Sequence, residues 1–183
     1  GPLQYLHPEN DHNLRTWNFY CTLNDDLTLK QITTIDTSKL DVTPIWEFVG
    51  LEDGRLFRWN NKVYISGVRR DTTTNGQGRM ELSELSIKTN QVREVKRTRI
   101  PAPGDNATYC EKNWMPIIDQ PFHYVKWSNP TEVVKFNPED GTTVTVHLDQ
   151  SKFISGQPDF RGSSQVIPYG DHYLALIHEV DLF

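Results

Sequence analysis

Short runs of alternating hydrophobic and polar residues dominate this chain, and turn-forming residues bound each run. Residues 17–23 are rich in aromatic and β-branched side chains, end at Asn24-Asp25-Asp26, and are followed by a second alternating run at 27–35. Residues 55–68 repeat the pattern around Asn60-Asn61, because asparagine accepts the left-handed conformations that a two-residue turn requires. Each of these two segments is predicted to form a β-hairpin.

The remaining chain has the same character and predicts strands rather than helices. No window holds the sustained i, i+3, i+4, i+7 pattern of an amphipathic helix, and 11 glycines and 11 prolines interrupt the sequence. Further short strands are predicted at residues 80–87, 92–98, 115–118, 123–127, 132–137, 142–148, 164–168 and 172–180. Many short strands separated by turns indicate an all-β fold, either a sandwich, a barrel or a propeller.

A recurring order of elements favours the propeller. A polar motif, a strand, a tight turn and a second strand follow one another at residues 50–65 and again at 161–176, with a looser copy at 111–124. Units of about 50 to 60 residues, each with its motif at the start of an inner hairpin, are typical of propeller blades. The innermost strands would then present the motifs to one central site.

Composition narrows the class of protein and of partner. The 183 residues and 36% hydrophobic content suit one domain with a buried core, and the formal net charge of −5 does not favour nucleic-acid binding. No run is long enough to span a membrane and no signal-peptide pattern opens the chain, so we expect a soluble, cytoplasmic protein. Residues 1–14 are interpreted as an N-terminal extension or tag remnant, and residues 15–183 as the β domain.

The two cysteines indicate neither a metal site nor a disulfide framework. Cys21 and Cys110 lie in no CxxC pattern and in no other metal-ligand spacing. We expect both to be buried free thiols. We also expect no bound metal and no cofactor.

Charged residues cluster with glycine where the hydrophobic runs start or stop. Asp53 lies between Glu52 and Gly54-Arg55, and the arginine would keep this carboxylate charged, which suits a metal ligand, an anchor for sugar hydroxyls or a member of a proton relay. A structural Asp–Arg bridge is the alternative. Arg69-Arg70-Asp71 ends a predicted strand, and its guanidinium groups match phosphate or carboxylate oxygens, with solvated surface charge as the alternative.

The segment Glu111-Lys112-Asn113-Trp114 combines acid, base, amide and indole. Strand alternation would place Lys112 and Trp114 on one side, and Glu111 and Asn113 on the other. A lysine beside an indole suits a sugar or phosphate platform, because sugar CH faces pack on aromatic rings. Burial of Trp114 in the core with exposed neighbours is the alternative.

The last candidates lie in two polar segments, Arg161-Gly162-Ser163-Ser164 and His178-Glu179. We predict that all the clusters converge on one pocket for a polar ligand such as a sugar. The candidate site residues are Asp53, Arg55, Arg69, Arg70, Glu111, Lys112, Asn113, Trp114, Arg161, Ser163, His178 and Glu179.

Segments 15–19, 50–59, 69–71, 111–116 and 161–179, taken in this order, resemble the five-bladed β-propeller glycan-active superfamily. That superfamily includes arabinanase-like glycosidases and inverting mannoside phosphorylases and mannosyltransferases. The resemblance is greater to the propeller domain of bacterial proteins that also carry glycosyltransferase domains. It implies an all-β, five-bladed propeller fold and activity on carbohydrate.

The resemblance also implies roles for individual residues. In the mannoside phosphorylases the Asp of a Glu-Asp-Pro-Arg motif donates the proton, which gives this role to Asp53. The positions similar to the phosphate-binding residues of those enzymes are Arg69 or Arg70, Lys112 and His178. This chain departs from the family at Gly54, where the motif has proline.

The length of the chain is the second departure. A closed five-bladed ring needs about 280 to 300 residues at this repeat length, and the chain has 183. We therefore expect three to four blades, with the domain truncated at its C-terminal end. A further C-terminal segment or a second chain would complete the propeller, because an open sheet edge needs cover.

These observations predict a glycan-active propeller that performs inverting glycosyl transfer to phosphate or to a sugar acceptor. Its ligand would be a carbohydrate or phosphosugar, with inorganic phosphate or a sugar donor as co-substrate and Asp53 as the catalytic acid. A non-catalytic carbohydrate-binding or scaffolding domain of a glycosyltransferase is the alternative. An arabinanase-like hydrolase is a further alternative, which needs a second carboxylate about 6.5 to 9.5 Å from the acid; Glu111 and Glu179 are the candidates.

Overall fold

A computed structural model describes residues 7, 9–105, 108–151 and 159–180. These residues form strands and one short 3-10 helix, Pro103–Asp105, so the all-β prediction is confirmed. The strands are β1 (Leu14–Arg15), β2 (Phe19–Leu23), β3 (Leu29–Asp36), β4 (Phe48–Val49), β5 (Leu51–Trp59), β6 (Lys62–Arg69), β7 (Arg79–Lys88), β8 (Gln91–Arg99), β9 (Met115–Pro116), β10 (His123–Ser128), β11 (Thr131–Asn137), β12 (Thr142–Asp149), β13 (Asp159–Gly162), β14 (Ile167–Tyr169), β15 (His172–Leu174) and β16 (Ile177–Val180).

Two antiparallel meanders of four strands each make up the centre of the molecule. Strands β5 to β8 pair in sequence order, and so do β9 to β12. The turn between β5 and β6 contains only Asn60 and Asn61, whose φ angles are 47° and 61°. Both asparagines thus adopt the left-handed conformation that the predicted two-residue turn requires.

The first meander is extended by the β2–β3 hairpin. Strand β3 pairs with β8 in parallel over two residue pairs, Ile35 with Val92 and Asp36 with Arg93. The resulting six-stranded sheet has the order β2-β3-β8-β7-β6-β5 and curls into a half-barrel. The hairpin predicted at residues 17–35 is therefore present, and its second strand, β3, connects it to β8 of the first meander.

The end of the described chain forms two antiparallel pairs, β13 with β16 and β14 with β15. Val166, just before β14, donates its backbone N–H to Pro116 at 2.9 Å and accepts from Ile118 at 3.0 Å. These bonds fix the part of the chain that contains β13 to β16 against β9, the first strand of the second meander.

A core rich in aromatic side chains lies between the two meanders. Trp59 packs at right angles to Tyr124, with ring centroids 5.4 Å apart, and donates its indole N–H to the carbonyl of Ile117 at 2.8 Å. The buried members of this core are Phe57, Trp59, Tyr64, Met80, Leu82, Ile100, Trp114, Tyr124, Val134 and Phe136. Because both meanders contribute to it, the core holds the two meanders in a fixed relation.

The expectation of two buried thiols is wrong. Cys21 is exposed, because β2 alternates between its two faces and Cys21 is on the outer one, while Cys110 is half-buried; both are free. Within the described ranges there is no helix of the length and apolarity that would span a bilayer.

Candidate functional site

A bulge in β5 carries Asp53. The pairing of β5 with β6 passes from Glu52–Val68 to Arg55–Ser66, so two residues of β5 lie opposite Gly67 alone. Asp53 has a φ of 52°, and a Cβ on Gly67 would lie 2.3 Å from the carbonyl oxygen of Glu52. Glycine at position 67 therefore makes room for the bulge, and the bulge turns the Asp53 side chain out of the sheet, where it is exposed.

Arg55 connects this bulge to a distant part of the chain. Its guanidinium donates to the carbonyl of Asp53 at 3.1 Å and to that of Gly162 at 2.6 Å. The side chain is buried, and its Nε has no hydrogen-bond partner among the described residues. Burial lowers the pKa of the guanidinium, and the Asp53 carboxylate opposes that change. Arg55 thus fixes the β5 bulge, the first segment of the site, against Gly162 in β13, which belongs to the third segment.

The second segment enters the site just before β9. Asn113 has a φ of 63° and is buried, whereas its neighbour Lys112 is exposed. A Cβ on Gly162 would lie 2.4 Å from the carbonyl oxygen of Asn113, so only glycine lets β13 approach this closely. Lys112 forms no direct ion pair with any carboxylate in the described part of the chain.

The third segment brings a histidine to the same place. His178 lies opposite Arg161 in the β13–β16 pair, and its Nδ1 shares a hydrogen bond of 2.7 Å with the hydroxyl of Ser163. This bond fixes the orientation of the imidazole ring.

The three segments line one open cavity of about 380 Å³, which we call the central cavity. The structure therefore brings Asp53, Lys112 and His178 together, although they are far apart in the sequence. The residues lining the central cavity are Asp53, Gly54, Arg55, Lys112, Asn113, Arg161, Gly162, Ser163 and His178.

Two further cavities adjoin the central one, and Lys112 lines all three. The Arg70 cavity, of about 440 Å³, is lined by Leu14, Arg15, Thr16, Phe48, Glu52, Asp53, Arg70 and Lys112. The Trp127 cavity, of about 220 Å³, is lined by Cys110, Glu111, Lys112, Asn113, Trp114, Lys126, Trp127, Arg161 and Gly162. We refer to the three together as the cleft.

Arg70 and Arg69 lie in different environments although they are adjacent. The Arg70 guanidinium lies over the rings of Phe48 and Tyr109, at 5.6 and 5.5 Å from their centroids, and contacts Cys110 Sγ at 3.3 Å. Arg69 is buried outside the cleft, where it binds Glu81 at 2.8 Å and Asp71 at 3.2 Å. Of the two predicted anion ligands, the structure brings only Arg70 to the cleft.

The predicted alternation of residues 111–114 is wrong. These residues do not form a strand, Asn113 has a left-handed conformation, and Lys112 is exposed whereas Glu111, Asn113 and Trp114 are all buried. Trp114 is 1% exposed and donates its indole N–H to Glu111 at 3.1 Å, while Glu111 also accepts from Thr108 at 2.7 Å. Trp114 and Glu111 are thus anchored to each other in the interior. Glu179, on β16, does not line any of the three cavities.

Ten residues that line the cleft are not among the site candidates from the sequence. They are Leu14, Arg15, Thr16, Phe48, Glu52, Gly54, Cys110, Lys126, Trp127 and Gly162. Glu52 was visible beside Asp53 in the same motif. The sequence indicates a place for Trp127 in a site less clearly. Trp127 is a large aromatic residue at the end of a predicted strand, directly before the turn residues Ser128-Asn129-Pro130.

Glu52 is half-buried in the wall of the Arg70 cavity. Burial raises the pKa of its carboxyl above the ordinary value of 4.5, while the nearby charges of Arg70 and Lys112 act in the opposite direction. At a pH just above 4.5 the folded protein therefore holds a proton that the unfolded chain has released.

This difference predicts a change of stability with pH. Relative to Glu52→Gln, the wild type should become less stable as the pH rises from 4.5 towards about 7, because folding then requires a charged carboxylate to be buried. Urea unfolding of both proteins across this pH range measures the difference. Glu139→Gln, in an exposed turn, is the control for loss of one charge. If the difference in free energy of unfolding between the wild type and Glu52→Gln stayed constant or changed in the opposite direction with pH, Glu52 would not titrate in this way.

Comparisons of the chain with protein-family models, curated proteins and solved structures gave no significant match. Within the described residues, no three His, Cys, Asp or Glu side chains are grouped to hold a metal ion.

Proposed function

We propose that the central cavity binds carbohydrate and that the protein performs inverting glycosyl transfer to phosphate or to a sugar acceptor. One observation carries this proposal, namely the convergence of Asp53, Lys112 and His178 on a single cavity from three distant segments. A carboxyl group can bind sugar hydroxyls as the carboxylate or protonate a glycosidic oxygen as the acid, and cations beside it can hold phosphate oxygens.

The same proposal includes a propeller fold. Two successive four-stranded antiparallel meanders support this part of the proposal, because a propeller blade is a four-stranded antiparallel sheet. On this interpretation the chain contributes three to four blades of a five-bladed ring. A further C-terminal segment or a second chain would cover the remaining sheet edge.

The proposed reaction uses one acid. Asp53 gives a proton to the glycosidic oxygen as the bond from that oxygen to the anomeric carbon breaks. An oxygen of phosphate, held by Lys112 and His178 with Arg70 nearby, forms the new bond from the opposite face of the sugar. Among the described residues Asp53 is the one carboxylate lining the central cavity, which favours transfer to phosphate over hydrolysis assisted by a second carboxylate.

Asp53→Asn tests this mechanism. With mannosides and inorganic phosphate as substrates, kcat/KM for release of sugar phosphate should fall about 100-fold, because the amide cannot donate the proton. Asp25→Asn, in the exposed turn after β2, is the matched control and should retain the wild-type rate. Equal rates for wild type and Asp53→Asn would exclude Asp53 as the acid.

A non-catalytic carbohydrate-binding domain is the second candidate. It is favoured by the exposure of Asp53, Lys112, Ser163 and His178, since glycosyl transfer benefits from a site that excludes water. Glycan-array binding without turnover, with binding lost in Asp53→Asn, would identify this function instead of transfer.

A further inference from the structure

We propose that the cleft binds an oligosaccharide and that its second sugar unit packs on the indole of Trp127. This inference rests on the proposed carbohydrate-binding function. The Trp127 cavity shares Lys112, Asn113, Arg161 and Gly162 with the central cavity, so a ligand can extend from one into the other without leaving the cleft.

The indole of Trp127 differs from those in the core. Trp127 is 42% exposed, whereas Trp59 and Trp114 are each 1% exposed and donate their indole N–H groups to protein acceptors. A large aromatic face left open beside a polar cavity is typical of a binding surface. The CH faces of a sugar ring are apolar and match such a surface, while the sugar hydroxyls require the polar groups around it.

A bulge in β10 holds Trp127 in place. The pairing of β10 with β11 passes from Val125–Val133 to Trp127–Glu132, which leaves Lys126 as the extra residue. The Lys126 side chain is buried, and its ammonium lies 3.3 Å from Glu132 and 3.8 Å from Glu111. These ion pairs anchor the bulge from which the Trp127 side chain extends.

The Trp127 cavity adds space beside the central cavity. The central and Trp127 cavities have volumes of about 380 and 220 Å³. The central cavity alone falls within the range of roughly 300 to 1,000 Å³ that is typical of small-molecule pockets, and the Trp127 cavity extends it. A monosaccharide bound beside Asp53 would leave the Trp127 cavity to water.

The test compares mannose with β-1,4-mannobiose by isothermal titration calorimetry. The wild type should bind the disaccharide about tenfold more tightly than the monosaccharide, which corresponds to one aromatic anchor. Trp127→Ala should remove this advantage and leave mannose binding unchanged. Trp127→Phe should retain most of the advantage, because it keeps an aromatic face.

Trp17→Ala is the matched control, since Trp17 is also exposed but lines a cavity outside the cleft. It should bind both sugars as the wild type does, and circular dichroism checks that each variant is folded. Wild-type protein that binds both sugars equally, or a Trp127→Ala variant that keeps the tenfold advantage, would overturn the inference and leave the proposed function standing. Absence of binding of either sugar by the wild type would overturn both.

Discussion

Trp114→Ala should lower the free energy of unfolding by about 3 to 5 kcal/mol, the usual cost of removing a buried tryptophan. The side chain is 1% exposed and packs edge-on against Tyr124, with ring centroids 5.9 Å apart. Its removal would open a cavity between the two meanders and leave the buried Glu111 carboxylate without the indole donor. Urea unfolding monitored by far-ultraviolet circular dichroism measures this loss.

Trp127→Ala is the control for Trp114→Ala, because it removes the same side chain from an exposed position. We expect a loss of about 0.5 kcal/mol or less for this variant. A Trp114→Ala protein with wild-type stability and no sugar binding would contradict the core assignment and return the platform role to Trp114.

Arg69→Ala should also destabilise the protein, by about 3 to 5 kcal/mol, because it removes one partner of a buried ion-pair cluster. Arg69 binds Glu81 at 2.8 Å and Asp71 at 3.2 Å, and all three residues are buried. Asp71 in turn accepts the backbone N–H of Gly50 at 2.9 Å, just before β5. Without the arginine, two buried carboxylates would lack their main cation, and the start of β5 would lose its anchor. Thermal and urea unfolding both report the effect.

Arg58→Ala is the matched control for Arg69→Ala, since Arg58 is an exposed arginine on the neighbouring strand. The free energy of unfolding of Arg58→Ala should lie within about 0.5 kcal/mol of the wild-type value. If Arg69→Ala instead kept wild-type stability but lost phosphate binding, Arg69 would belong to the ligand site and the cluster would not be structural.

The strands and hairpins were largely predictable because their signals are local. The Asn60-Asn61 turn is an example, since the residue type alone favours the left-handed conformation that both asparagines adopt. The parallel pairing of β3 with β8 was not predictable, because two residue pairs between distant segments leave no periodic pattern in the sequence.

The convergence of the motifs was predictable, but the role of each residue was not. Each motif lies where a predicted strand starts or ends, and in an antiparallel sheet the end of one strand lies beside the start of the next. Which side chains face the cleft depends on the bulge at Asp53 and the left-handed Asn113, and neither has a reliable sequence signal. Likewise, Arg69 rather than Arg70 is buried because Glu81 on the adjacent strand lies within its reach.

A crystal structure of the protein soaked with mannose and inorganic phosphate would test the carbohydrate site most directly. We expect the sugar within hydrogen-bond distance of the Asp53 carboxylate, and the phosphate in contact with Lys112 and His178. Ligands bound only outside the cleft, or coordinates that separate these three side chains onto different faces, would contradict the proposal.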